Sequence, residues 1–207
     1  MSTFAPLSIT NRIILLLFNV IILGLDGEET STPSGGKTME PDLIDLIQDN
    51  PLSYGADVLI HPTTGAESPS TERFPGFYER VGDDALRAFR NKQPLRMGEA
   101  TSTGGGQLDF DTVVHVPVRT GPNVPTTPDN LQVAYRTALV SADEEPHRTL
   151  VVPAPVNSDD LEENFEEAAT RIWQDFLQYP SVSLRKIRII DPDSLWIETF
   201  QELKAQD

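Results

Sequence analysis

Cysteine is absent from the 207-residue chain, which excludes a disulfide framework, thiolate metal sites and thiol nucleophiles. Basic residues are also scarce, because 16 Lys and Arg stand against 32 Asp and Glu and give a formal net charge of −16. Such a charge repels phosphate backbones and anionic lipids, so we predict no binding to nucleic acid or membranes. The three histidines are too scattered for a metal site. No metal or other cofactor is predicted.

Long hydrophobic runs are missing too. The most apolar stretch, IILLLFNVIILGL at residues 13–25, is too short to cross roughly 30 Å of hydrocarbon as a helix. Arg12 in front of it imitates a secretory signal, but no small-residue cleavage site follows. Frequent Ile and Val favour a buried strand or strand pair, with a signal or anchor as the alternative. We expect a soluble intracellular protein, cytoplasmic or nuclear.

Short apolar segments alternate with amphipathic ones along the rest of the chain. The predicted strands are residues 56–60, 112–118, 150–152 and 186–190. The predicted helices are residues 41–48, 77–89 with a break near Gly82, 131–141, 159–179 and 194–204. This alternation predicts an α/β fold with three α/β/α layers around a mixed, largely parallel central sheet. We expect an N-terminal tail at 1–11 and one domain at 12–207, with a polar loop insert at 26–40.

Three predicted strands end in loops that are candidates for a binding site. The loops are HPTTG at 61–65, PVRTGP at 117–122 and PAPVNSDD at 153–160. In an open α/β sheet, ligands bind in the crevice at the carboxyl ends of the strands. The last loop also leads into a helix N-terminus, where backbone N–H groups can receive an anion. A phosphate-bearing small molecule is therefore a candidate ligand, since exposed charges beyond about 8–10 Å are screened by salt.

The same segments resemble a known family. LRMGEATSTGGGQLDFDTVVHVPV (95–118) resembles the middle of a macro domain, where a Gly-Glu-Ala start leads to a strand ending in a hydrophobic-His pair. NLQVAYRTAL (130–139) and TLVVPAPV (149–156) follow in the order and spacing of the family, and ADVLIHPTTG (56–65) is similar to its second strand and ligand loop. RIILLLFNV (12–20) and the triplet HVP (115–117) are most similar to the fungal macro-like subgroup.

The resemblance implies a function. Macro domains bind ADP-ribose, and many remove it from proteins or hydrolyse its derivatives, so ADP-ribose or a related nucleotide is the implied ligand. The adenosine end would lie near the first strands and residues 61–65, and the diphosphate against residues 154–158. Any reaction would be hydrolysis at the distal ribose. The implied ligand-binding residues are His61, Thr63, Thr64, Gly65, Ala154, Val156, Asn157 and Ser158.

Both ligand loops depart from the family pattern. The first lacks the Asn residues and the Gly-rich run that normally wrap the distal ribose. In the second, Pro153 and Pro155 have no N–H to donate, and Asp159 repels a diphosphate. For the family's adenine-binding Asp, only Asp26 is a candidate. We therefore predict weak catalysis or none, with no residue assigned as catalytic. The alternative is a non-catalytic interaction domain that kept the fold, lost the site and presents its acidic surface to a basic protein partner.

Single histidines and short motifs give less specific evidence of function than the family resemblance does. His61 is either a general base at a strand end or a loop histidine that caps the strand. His115 lies among valines, which predicts a packed, hydrogen-bonded residue, and His147 lies in an acidic loop, which predicts a solvated one. Gly35-Gly36-Lys37-Thr38 resembles the end of a phosphate-binding P-loop, but Ser31 stands where that motif requires Gly.

Overall fold

The computed structural model describes residues 37–64, 76–121, 124–144 and 146–207. The predictions made for the N-terminal tail, for the strand at 13–25 and for most of the insert at 26–40 lie outside these residues. The same holds for Gly65 and Asp26. Among the described residues, no helix combines the length and the apolar character needed to cross a membrane.

Strands and helices alternate along the described chain. The strands are β1 (Lys37–Thr38), β2 (Ile44–Gln48), β3 (Ala56–Thr63), β4 (Thr101–Gly104), β5 (Phe110–Pro117), β6 (Thr149–Val152), β7 (Pro180–Ser181) and β8 (Lys186–Asp191). The helices are α1 (Phe77–Val81), α2 (Asp83–Arg90), α3 (Pro128–Ala142), α4 (Phe165–Gln178) and α5 (Ser194–Lys204). The main sheet has the order β2-β8-β6-β3-β5-β4, while β1 and β7 form a separate antiparallel pair. Every neighbouring pair in the main sheet is parallel except β4 and β5.

The sheet separates two hydrophobic clusters. In β3, Val58 and Ile60 belong to the cluster that includes residues of α3, α4 and α5, whereas Leu59 belongs to the cluster that includes residues of α1 and α2. Because successive side chains of a strand project to opposite faces, the two clusters cover opposite faces of the sheet. Trp196 and Phe176 are fully buried in the larger cluster. The predicted three-layer α/β/α fold with a mixed, largely parallel sheet is confirmed.

The helix predicted over residues 41–48 is wrong. Pro41–Leu43 forms one 3-10 turn, and strand β2 begins at Ile44 and pairs in parallel with β8. Over such a short run the apolar residues satisfy a helical and a strand period equally well. Pairing with the buried strand β8 decides between them, and that partner lies more than 140 residues away in the chain.

Other elements differ from the prediction as well. Helix α4 begins at Phe165, not at residue 159, because two 3-10 turns, Ser158–Asp160 and Glu162–Asn164, come before it. Strand β4 was not predicted; it forms an antiparallel hairpin with β5 through the glycine bend after residue 104. Strand β3 continues to Thr63 because it pairs with β5 along its whole length. The helix break at Gly82 is confirmed, with φ at 83° between α1 and α2.

Candidate functional site

The three candidate loops leave the main sheet at one edge. Strand β3 is flanked by β5 and β6, and both pairings are parallel, with Thr63 opposite Pro117 and Leu59 opposite Val151. The pairing of β3 and β5 continues beyond the strands, since the N–H of Val118 donates to the carbonyl oxygen of Thr63 at 2.9 Å. Carboxyl ends of parallel strands lie at the same edge of a sheet. Residues 61–64, 117–121 and 153–160 therefore surround the end of β3.

The loop after β6 is held by carboxylates of the protein itself. The N–H of Ala154 donates to Oδ2 of Asp191 at 3.0 Å, and the N–H of Ser158 donates to Oδ2 of Asp193 at 2.9 Å. Asp191, the last residue of β8, is fully buried. Oδ1 of Asp191 accepts from the N–H of Asp193 at 2.9 Å, so the two acids form one unit. Prolines at 153 and 155 contribute no N–H.

Carbonyl groups of this loop also accept hydrogen bonds from buried side chains. The hydroxyl of Tyr135 donates to the carbonyl of Pro153, and Nε1 of Trp196 donates to the carbonyl of Val156 at 3.0 Å. Ala154 and Val156 are buried, Ser158 is half-buried and Asn157 is exposed. Of the residues that the resemblance places against a diphosphate, Asn157 and Ser158 thus present side chains at the surface. An anion approaching here finds the N–H groups of 154 and 158 already donating to carboxylates.

The loop after β3 begins inside the protein. His61 and Thr63 are buried and Thr64 is half-buried, while Gly65 lies outside the described residues. His61 is part of strand β3, and its ring stacks on Phe77 with ring centroids 3.9 Å apart. A general base must reach a water molecule. The fully buried imidazole of His61 has the surroundings of a packed core residue.

His61 and His115 form a buried pair across β3 and β5. Their Nδ1 atoms are 3.0 Å apart, and Nε2 of His115 lies 2.8 Å from Oγ1 of Thr103. The ring of His115 stacks on Phe89 at 3.9 Å, which confirms the prediction of a packed, hydrogen-bonded residue. Burial lowers the pKa of His61 to about 3 and holds the pKa of His115 well below its usual value. Both rings are neutral at pH 7, so one Nδ1 donates its proton to the other.

His147 is less solvated than predicted. It is half-buried, with Nε2 at 3.3 Å from Oγ1 of Thr112 and Nδ1 at 3.2 Å from the carbonyl oxygen of Ala142. These contacts tie the turn before β6 to β5 and to the end of α3. The acidic neighbours in the sequence suggested a solvated loop, but the turn folds back on the sheet.

Three charged residues at this edge were not predicted as site residues. Arg119, two residues after β5, pairs with Asp160 through Nη2 and Oδ2 at 3.1 Å. Asp191 and Asp193, which hold the loop after β6, follow the apolar strand KIRII in the sequence. A charged residue directly after a predicted buried strand was the available signal.

The end of β2 also reaches this edge. Asp49 follows β2, and its N–H donates to the carbonyl of Asp191 at 3.1 Å. Its Oδ2 accepts from the hydroxyl of Tyr54 at 3.0 Å. Asp49 is thus an acid beside the first described strand of the main sheet, whereas the predicted candidate Asp26 lies outside the described residues.

A groove of about 560 Å³ lies next to the loop after β6. It is lined by the turns that precede α4, by α4 itself and by α5. Ser158 belongs both to this groove and to the predicted diphosphate loop, and the side chain of Leu195 in its lining is 45% exposed. Five carboxylates line it: Asp159, Glu163, Glu166, Glu198 and Glu202. Nowhere in the described part of the chain do three His, Asp or Glu side chains come together in a way that could hold a metal ion.

Known proteins share this fold. The family model described as Macro domain matches residues 76–170. The chain is 22% identical over 160 residues to an uncharacterized protein of Aquifex aeolicus (strain VF5), covering 77% of this chain and 96% of that protein. The Trypanosoma brucei macrodomain in complex with ADP-ribose matches with a TM-score of 0.64 and 19% identity, over 96% of this chain and 91% of that one. The Oceanobacillus iheyensis macrodomain with ADP matches with a TM-score of 0.58 and 21% identity, over 76% and 88% of the two chains. The chain has a macro-domain fold.

Proposed function

We propose that this macro domain binds ADP-ribose, or a related nucleoside diphosphate, weakly in the crevice at the end of β3. The convergence of residues 61–64, 117–121 and 153–160 at one edge of the sheet supports the location. Two similar macrodomains that have ADP-ribose or ADP bound support the ligand class.

We expect weak binding because N–H groups of the loop after β6 already donate hydrogen bonds within the protein. A macro domain that bound its ligand tightly would offer free N–H groups to the diphosphate. Here those of Ala154 and Ser158 donate to Asp191 and Asp193 instead. A ligand must either displace these carboxylates or bind without both amides. We therefore expect a dissociation constant in the upper micromolar range.

The same geometry leads us to propose little or no hydrolysis. The imidazole of His61 is sealed from water by its stack on Phe77, and Asp191 is committed to two backbone N–H groups. Neither can activate a water molecule at the distal ribose without first giving up these contacts. Incubation with an ADP-ribosylated protein should release no ADP-ribose above the background of the buffer.

Calorimetry with ADP-ribose at moderate salt tests the binding. We expect upper-micromolar binding that is lost on Gly65→Trp, because the family resemblance places Gly65 in the ligand loop. Val182→Trp is the matched control, because Val182 is 64% exposed and lies before β8, whose opposite end reaches the site. The absence of heat at millimolar ADP-ribose, or equal binding by the two variants, would contradict the proposed function.

The acidic groove favours a second function, an interaction domain for a basic segment of a partner protein. Carboxylates on α4 and α5 surround the exposed side chain of Leu195, so the groove fits a cationic segment with one apolar side chain. An arginine-rich peptide that contains one leucine serves as the probe. Binding that weakens with salt and is lost in the double variant Glu198→Lys, Glu202→Lys would support this function. Equal binding by the variant would contradict it.

A further inference from the structure

The ion pair between Arg119 and Asp160 spans the end of β3. Arg119 follows β5 and Asp160 belongs to the segment that follows β6, and β3 separates these two strands in the sheet. Neighbouring strands lie about 4.8 Å apart, so β5 and β6 are separated by roughly 10 Å. Nη2 of Arg119 nevertheless lies 3.1 Å from Oδ2 of Asp160. The pair therefore bridges the two loops that flank the end of β3 at Thr63.

Arg119 is the cation of this crevice. Within the described parts of the three loops, 61–64, 117–121 and 153–160, it is the one Lys or Arg. Its side chain is 15% exposed, so most of it is held against the protein with the guanidinium directed to the loop after β6. A guanidinium presents several N–H donors in a plane, which suits phosphate oxygens. The N–H groups of Ala154, Ser158 and Asp160 donate to other groups of the protein. Arg119 is the cation in these loops that can neutralise a diphosphate.

The ion pair is also easy to open. The side chain of Asp160 is 40% exposed, and ion pairs with a solvated partner contribute little to stability. A diphosphate carries more charge than one carboxylate and can bond the guanidinium through two oxygens. Exchange of Asp160 for a phosphate therefore costs little protein stability and gains a stronger contact.

We propose that Arg119 receives the diphosphate of the bound nucleotide and that Asp160 holds this arginine when no ligand is present. The inference rests on the proposed function for its ligand. Asp160 acts as an internal competitor, so it lowers the affinity for phosphates and raises the ligand concentration at which the site is half filled. The arrangement selects ligands with two adjacent phosphates over those with none, because only the former replace the lost ion pair.

Calorimetry on four proteins tests the proposal, with ADP-ribose and with inorganic pyrophosphate as separate probes. The proteins are the unmodified domain, Asp160→Asn, Asp159→Asn and Arg119→Gln. Asp159 is the matched control, because it is the adjacent exposed acid and its replacement removes the same charge. We expect Asp160→Asn to bind both probes roughly two- to five-fold more tightly than Asp159→Asn does, from the range measured for such ion pairs. Arg119→Gln should lose roughly tenfold or more.

The two probes separate the two proposals. If the unmodified domain binds ADP-ribose but Asp160→Asn and Asp159→Asn bind equally, the role of Asp160 is overturned and the proposed function stands. If pyrophosphate binding improves in Asp160→Asn alone while none of the proteins binds ADP-ribose, the arginine site stands and the proposed function fails. Absence of binding of both probes to all four proteins overturns both. Urea unfolding of each variant verifies that it is folded.

Discussion

Lowering the pH from 7 to 5 should destabilise the domain through His61 and His115. Burial lowers the pKa of His61 to about 3. The pKa of His115 is also lowered by burial, and further by the neighbouring His61 and Lys92. Both rings therefore stay neutral in the folded protein at pH 5, whereas in the unfolded chain they take up protons below a pKa of about 6.5. The unfolded state binds more protons between these values, so the free energy of unfolding falls as the pH falls through this window.

The magnitude follows from the width of the window. A histidine that stays neutral when folded and has a pKa of about 6.5 when unfolded lowers the free energy of unfolding by about 2 kcal/mol between pH 7 and pH 5. The lowered pKa of His115 adds to this loss in the same direction. Against a typical total of roughly 5–15 kcal/mol, such a loss is easily measured.

Urea unfolding at the two pH values measures this loss. His61→Gln removes one of the two buried rings, so the difference between pH 7 and pH 5 should shrink even though the variant is less stable at both. His147→Gln is the matched replacement of a histidine outside the pair. Carboxylates titrate in all three proteins and cancel in the comparison. Equal stability of the unmodified domain at both pH values, or the same difference in the two variants, would refute this role of the histidine pair. Should His61→Gln fail to fold, constant NMR shifts of the ring of His61 from pH 7 to pH 5 provide the test.

Replacements at three further positions, Gly106, Asp191 and Asp143, test other contacts that stabilise the fold. Gly106→Ala should destabilise the domain by about 2 kcal/mol or more in urea, because φ is +66° and the new Cβ would lie 1.7 Å from a carbonyl oxygen of α1. Gly104→Ala, with open space around the site, should be close to neutral; equal effects would contradict the argument. Asp191→Ala should cost about 1–3 kcal/mol and speed hydrogen exchange of the amide of Ala154, and unchanged exchange would count against its anchoring role. Asp143→Ala should cost about 3 kcal/mol, since its carboxylate accepts from the amides of residues 182–184, and an unchanged urea midpoint would refute this.

The parts of the fold that could be predicted are those with a strong local signal. Helix α5 has its predicted bounds, and the break at Gly82 follows from a residue that adopts positive φ at little cost. Strand β2 could not be predicted, because its apolar pattern is ambiguous over five residues and its partner β8 is distant in the sequence. Strand β4 has the polar sequence TSTG, and it forms because its backbone pairs with that of β5.

The candidate site was predictable only as a location. The ends of the predicted strands indicated which edge of the sheet holds the site, and the loop sequences gave the residues at that edge. The residues that determine its chemistry are Asp191, which ends β8, and Asp193, two residues later. Both accept hydrogen bonds from the loop after β6, because β8 is the neighbour of β6 in the sheet. Such a contact depends on strand order, which a single sequence does not contain.

The acidic composition and the weak binding proposed for this domain have one physical origin. Acidic residues are twice as numerous as basic ones, and three of them, Asp160, Asp191 and Asp193, accept hydrogen bonds from the donors that a phosphate would use. An internal carboxylate competes at an effective concentration far above that of a dissolved ligand. Added salt screens the net charge of the chain but acts less on the buried contacts of Asp191. Salt should therefore affect ligand affinity mainly through Arg119 and Asp160. Calorimetric titrations of Arg119→Gln with ADP-ribose at several salt concentrations test this. If the affinity of this variant still depends on salt, the charge of the whole surface, and not this pair, controls access to the crevice.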